Sequence, residues 1–571
     1  YNFSKIAERL RFDIHQRLLA LKFRDLVMSE EGLVVAKDLV TSLIEIYTQE
    51  NSQVEVLAQR MREQSPTYFT EHDRLRAKAQ EYLQLAKSSR DSKEINELLD
   101  KSLSIFLQVA AHTPINNISA DYQKLCYYNG IVKLALARAA ALDPTNDALT
   151  WFNTRKPGQQ APTGTEGERR FALRQECYSV ITKVFEELYT GAPLDPDRPI
   201  LDAVDWEQTK ANALQTALTS KDELFHYFLY DWYLQKNLSN EMLSIRSPSL
   251  ENYLLHVHPD LNLLWQYYVR HNKFVQASAI LIKLAEQSEN LRLHERVEKL
   301  ARAKSCLVES TGYGQDSTMI QNIQEKLEVA QVQLKIYNEL GRLNIPEADA
   351  ARRELDLHLH NISDLFNKYA KKFRLWECQL NILHCSGHND PTLVRKLWDK
   401  IISEELKNDN KITPLREKIK SLGKEFFPSQ LVFPISYLID TLERYSFENQ
   451  NISDWQVTWV YTALREIGVP FPNIFEAYHQ IMLESNNPYW QKPDAKLHLC
   501  FVLSFLLADW IEFVQSSQAT VFDKRQFESK DIRGVINQYT VELDSSFSKN
   551  KERKEECAKR FKQLSEWMKK K

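Results

Sequence analysis

The chain has 571 residues with 74 Lys+Arg against 77 Asp+Glu, and a formal charge of −3 gives it no overall electrostatic footprint for nucleic acid. Its 13 Gly and 19 Pro fall short of the roughly 7% and 5% of average usage, about 40 and about 29 residues at this length, and a sheet-rich or loop-rich protein would need them for turns. The composition argues against a β-rich fold and predicts an all-α chain, longer than one compact core, built as an extended repeat of helices.

From the N-terminus, Tyr1 to Arg11 is polar and charged, unlike a signal peptide, and the missing initiator Met predicts a portion of a longer protein. Residues 1–142 read as a first solenoid section. Asp143 to Arg170 holds three Gly and three Pro and predicts a partly disordered loop. Residues 171–446 form a central section, interrupted by a shorter loop from Gly191 to Pro199. Within it, Ser220 to Leu238 is dense in rings: Phe225, Phe228, Leu229 and Trp232 share one helical face, while Leu224, Tyr227, Tyr230, Tyr233 and Leu234 spread round the others. A helix apolar all round sits between two layers.

Leu261 to Arg270, a His271-Asn272-Lys273 turn and Phe274 to Ala285 make a helix pair. Met319 to Gly341 repeats apolar residues at steps of three and four, with Gly341 as a stop. Phe373 to Cys385 ends at Gly387, and Asp390 with Pro391 opens the helix Leu393 to Leu406. A third connection is expected at Glu448 to Asp454, at the head of a C-terminal section, residues 447–571. In it, Val457 to Ile467 and Ile474 to Leu483 flank a Gly-Val-Pro-Phe-Pro turn. Such pairs stacked in series make an α-solenoid, elongated, each pair burying its faces against its neighbours.

Leu499 to Ala508 is the most membrane-like run, but at about ten residues it is half of what a span needs and predicts a buried helix. Lys551 to Lys571 is a basic helix with Cys557, Phe561, Leu564 and Trp567 on one face. It reads as the last helix of the stack, docked by that face; the alternative is an interfacial helix seeking anionic lipid or nucleic acid.

Chemistry is sparse. The seven cysteines (Cys126, Cys177, Cys306, Cys378, Cys385, Cys500, Cys557) are odd in number and scattered, as reduced thiols are, so the five Asn-x-Ser sequons carry no weight. Lys221 to Leu224 spells a retention signal that is read only at a C-terminus. Gly312-Tyr313-Gly314 fails as a dinucleotide fingerprint, and no G-x-x-x-x-G-K or G-x-S-x-G string occurs. His294 to Glu298 lacks a second histidine and reads as a charged helix surface. Cys378, His384, Cys385 and His388 lack the spacing of a zinc site and read as buried thiols beside surface histidines. No catalytic, cofactor or metal residue is assigned, and no small-molecule substrate.

"DELFHYFLYDWYLQKNLSNEMLSIRSPSLENYL" at Asp222 to Leu254 and "LLWQYYVRHNKFVQASAILIKLAE" at Leu263 to Glu286 resemble the C-terminal part of the large inner-ring scaffold nucleoporins, the nucleoporin 155/170 family. "RLHERVEKLARAKSCL", "KLEVAQVQLKIYNEL" and "LREIGVPFPNIFEAYHQI" follow in the same order. Coverage is good from Leu134 to Leu506, and the motifs are packing motifs that identify no site.

The resemblance implies a solenoid that follows a β-propeller, located at the nuclear envelope in the nuclear pore complex. It implies a structural role in nucleocytoplasmic transport, with two kinds of partner: other inner-ring scaffold nucleoporins, and linear segments of flexible linker nucleoporins, including the one bearing Gly-Leu-Phe-Gly repeats. It implies no direct nucleic-acid partner and places the family's membrane-touching element in the propeller, outside this chain. A disordered linker should concentrate its affinity in a few apolar anchors, so exposed aromatics in a groove are the expected partner site, with Tyr230, Tyr233 and Tyr268 as candidates. The alternative function is a trafficking or coat-type helical adaptor whose basic C-terminal helix contacts membranes.

Overall fold

A computed structural model describes residues 3–8, 10, 12–49, 54–64, 66–154, 164–190, 205–310, 317–406, 412–449, 456–483, 487–545 and 550–569. They are helical, with no strand among the described residues. The coordinates form two compact units, Tyr1–His271 and Asn272–Lys571, so the break falls inside the section expected to run from 171 to 446.

Within each unit helices pack chiefly on their neighbours in the chain. In the first, Glu71–Ser88 lies on Ser92–Gln108 and Tyr128–Leu142 on Glu166–Thr190; in the second, Leu293–Ser310 is packed between Phe274–Gln287 and Ser317–Leu340. Local chemistry sets the ends. Asp222, Asp205 and Asp260 accept backbone N–H groups at helix starts. Gly387 at φ 63° and Gly468 at φ 104° take the left-handed conformation that ends two helices.

The pairs expected around 387 and 468 are present as Trp376–Ser386 with Pro391–Leu406 and Trp459–Ile467 with Phe471–Leu483. The last of these starts three residues early because Pro472 is tolerated in a first turn. The segment 143–170 departs from expectation. It contains the helix Asp147–Asn153 and the start of Glu166–Thr190, and its first residue, Asp143, is buried. Residues 155–163, like the connections 191–204 and 450–455, lie outside those described.

Pro493–Gln515 passes as a membrane span by length and composition, yet it packs into the core of the second unit, with Leu499 to Ser504 all buried. Lys551–Lys569 docks against the same core. Cys557 and Phe561 are buried, with Leu564 and Trp567 packed beside them, so the apolar face an interfacial helix would offer to lipid is already covered. Cys378 is buried, which pushes its thiol up to about 12, whereas His384 and His388 are exposed.

His294 and Glu298 are exposed, as a charged helix surface requires, but Arg296 between them departs from that reading. It is 1% exposed, and its guanidinium donates to the carbonyls of Ala285 at 2.6 Å, Ser288 at 2.5 Å, Leu291 at 3.1 Å and Leu357 at 2.6 Å. Ala285 lies in the last turn of one helix and Leu357 ends another, so one side chain satisfies carbonyls that helix termini leave unpaired. Arg296→Met should cost about 1.5–3 kcal/mol, the range for hydrogen bonds to a charged group. The check is faster hydrogen exchange in Phe274–Gln287, Leu293–Ser310 and Pro346–Leu357 with other helices unchanged.

Candidate functional site

The ring-dense helix, Glu223–Gln235, lies against Glu166–Thr190 in the first unit. Its start is pinned from below. Asp222 caps it by accepting the Phe225 N–H at 3.0 Å, and also receives Arg174 Nη2 at 2.5 Å and the Tyr178 hydroxyl at 2.6 Å. Arg174, 3% exposed, donates to Asp143 at 2.9 Å as well, and Asp143 takes the Asp147 and Ala148 N–H groups at 2.9 and 3.0 Å. Burial alone would push the Asp143 carboxyl up. The donors from Arg174, Ala148, Asp147 and Arg170 outweigh it and hold the carboxyl below its ordinary range.

With the two helices fixed in this way, a groove of about 470 Å³ runs between them. One wall is Phe171, Gln175, Tyr178, Thr182 and Glu186, at steps of four, three, four and four. The other is Leu224, Tyr227, Phe228, Asp231, Trp232 and Gln235, and Phe152 closes one end. Phe152, Phe171 and Phe228 are half-buried. Phe152 stacks on Phe171 with centroids 6.0 Å apart, and Phe228 lies 5.7 Å from Tyr178.

The rim carries polar groups. Glu186 pairs with Lys236 at 2.9 Å, and Asp231 accepts the Tyr253 hydroxyl at 2.5 Å. The Trp232 indole N–H is buried and has no acceptor among the described residues. Apolar ring faces and a charged rim suit an extended peptide that brings apolar side chains.

The three tyrosines expected to be exposed are not. Tyr230, Tyr233 and Tyr268 are at most 5% exposed. Tyr230 packs on Tyr253 with centroids 5.3 Å apart, and burial pushes its phenol up to about 12. Tyr268 donates to Glu251 at 3.0 Å and is raised to about 12, by burial first and the carboxylate second. Tyr233 floors a different cleft, on the opposite side of its helix. The expectation of exposure is corrected: a helix covered on most sides hides its tyrosines as readily as its leucines.

The half-buried rings along the groove are phenylalanines. In the sequence Phe228 shares a helical face with Phe225, Leu229 and Trp232, and Phe152 falls in the stretch expected to be a loop. The available signal was the Trp151-Phe152 pair, two large rings that a disordered loop has no reason to carry.

Residues 1–552 match the family model described as the non-repetitive/WGA-negative nucleoporin C-terminal region. A probable nucleoporin of Schizosaccharomyces pombe is 29% identical over 97% of this chain and 42% of its own length. The nuclear pore complex protein Nup154 of Drosophila melanogaster is 29% identical over 75% of this chain and 33% of its own. The chain thus spans less than half the length of these relatives. Among solved structures, the C-terminal domain of Chaetomium thermophilum Nup170 in complex with Nup145N superposes with a TM-score of 0.70 at 22% identity, over 86% of this chain and 98% of that one. The Nup170 structures share this chain's helical solenoid fold.

Proposed function

The chain belongs to the non-repetitive nucleoporin family, and from that membership we propose that it is a structural scaffold of the nuclear pore complex inner ring whose first unit holds a linear segment of a flexible linker nucleoporin. The relatives are pore proteins, and a similar domain has been solved with Nup145N. The proposal assigns this chain a linker of the same kind, including one that bears Gly-Leu-Phe-Gly repeats, beside other inner-ring scaffold nucleoporins as partners. The role is architectural rather than catalytic.

The observation that carries the linker reading is the row of half-buried rings, Phe152, Phe171 and Phe228, along one groove. Large rings left partly in water are what a few-anchor peptide covers. The linker is held by its apolar anchors.

Calorimetric titration with tiled linker peptides tests this. One short segment should bind at micromolar affinity or tighter, and Phe228→Ala and Phe171→Ala should each weaken it about tenfold, about 1.4 kcal/mol. Tyr230→Phe, inside the core, should leave affinity unchanged. Binding that ignores both phenylalanine changes would refute the groove, and the absence of binding by any linker would refute the linker role.

A further inference from the structure

On the side of Glu223–Gln235 away from the aromatic groove lies a second cleft, of about 640 Å³, with a different chemistry. Leu218, which ends the helix Trp206–Leu218, lines one side, and His226 and Tyr233, two turns apart, form the floor. The rim carries two cations from separate connections. Lys221 stands in the turn before Glu223–Gln235, and Arg246 between the short helices Ser239–Met242 and Pro248–Asn252. Both are exposed, and neither is tied to a carboxylate among the described residues. The cleft's one carboxylate, Glu241, accepts the Tyr189 hydroxyl at 2.6 Å.

A single solvated lysine or arginine on a surface needs no explanation. Two of them on the rim of one concavity differ, because low-dielectric walls focus their field and draw in an anion. His226 adds an independent sign. It is 4% exposed; one ring nitrogen meets the Ser220 carbonyl at 2.8 Å, and the other, Nδ1, is buried with no partner among the described residues. Buried polar atoms are almost always paired within a fold, so one left over at the floor of a charged cleft calls for a reason. Shape then separates the anions. A bilayer surface is flat and does not enter a concavity, and a nucleic-acid backbone, charged at every residue, needs a row of cations rather than two. An extended acidic peptide is narrow enough to enter and brings a carboxylate for each cation within a few residues.

We propose that this cleft is a docking site for an acidic linear segment of a partner protein, with Lys221 and Arg246 each taking a carboxylate. The Arg246 guanidinium holds its carboxylate through two parallel N–H···O bonds, and Lys221 acts as a point charge. The site is separate from the aromatic groove and does not rest on the linker reading. It selects by charge, where the groove selects by apolar anchors.

Fluorescence polarisation of the whole chain with a labelled decapeptide that alternates Glu and Ser tests this. The peptide should bind saturably, and a twin with Gln in place of Glu should bind at least about tenfold more weakly. Lys221→Gln and Arg246→Gln should each weaken binding about three- to fivefold, the size of an exposed ion pair, and together roughly tenfold or more. Both side chains are exposed, so the variants keep the fold, and Phe228→Ala, in the other groove, should leave the affinity unchanged. No saturable binding, equal binding of the Gln peptide, or binding that ignores both cations would each overturn the proposal. Capture of phosphatidylserine vesicles through the same two cations, without binding of the peptide, would overturn it in favour of a membrane.

Discussion

Arg174→Leu is expected to destabilise the first unit by about 3–5 kcal/mol, the cost of removing one partner from a buried ion cluster. The lost cation leaves Asp143, whose side chain is 0% exposed, with only backbone donors and Arg170, and leaves Asp222 with the Tyr178 hydroxyl and its capping role. Hydrogen exchange should accelerate most in Glu223–Gln235, whose cap this arginine holds, and in Asp147–Asn153, whose start Asp143 holds. Adding Asp143→Asn should recover part of the loss, because the uncompensated charge is what costs most.

The pH dependence has a definite sign. The folded Asp143 carboxyl titrates below its unfolded value, so its contribution is complete above the ordinary carboxylate range near 3.9 and is lost as pH falls through the folded value. The wild-type first unit should therefore weaken on acidification through that window. In Arg174→Leu the acid loss from this carboxyl should shrink or reverse. An unchanged acid profile would show that Asp143 is not held by this arginine.

Glu443→Ala should be of similar size in the second unit. Glu443 is 0% exposed and takes His498 Nε2 at 2.9 Å on one oxygen and the Tyr478 hydroxyl on the other, joining the helices Ile435–Glu448, Phe471–Leu483 and Pro493–Gln515. Its removal strands two buried polar groups, each worth about 1–3 kcal/mol. Tyr478, whose phenol is driven far above its ordinary value by burial and then by the carboxylate, cannot ionise to escape. Replacing all three as Glu443→Leu, Tyr478→Phe and His498→Leu should cost less than Glu443→Ala alone, since no polar group is then left unmet. Urea unfolding of the wild type and the two variants measures this. A triple variant weaker than the single one would mean that the cluster contributes more than it costs to bury.

The helices were legible because their signals are local. Gly387, Gly468, Asp222 and Asp390 end or start helices through backbone geometry and single hydrogen bonds that a few adjacent residues specify. The site was legible only as a location. The helix Glu223–Gln235 stood out, but which of its rings meet water depends on Glu166–Thr190 and Tyr253, far away in the chain. Arg296 and Arg174 were unreadable for the same reason. A lone arginine in a helical pattern looks solvated until the carbonyls or carboxylates that surround it are brought in from elsewhere.

Because each helix rests chiefly on those next to it in sequence, most native contacts close short loops. Doubling a loop costs only about 0.6 kcal/mol of closure entropy, but distant pairings slow the search for the folded state. A chain arranged this way can take up structure piece by piece as it leaves the ribosome, each finished pair giving the next a surface to settle on. The longer closures, such as Glu443 to His498 across 55 residues, are then late events that lock pieces already formed.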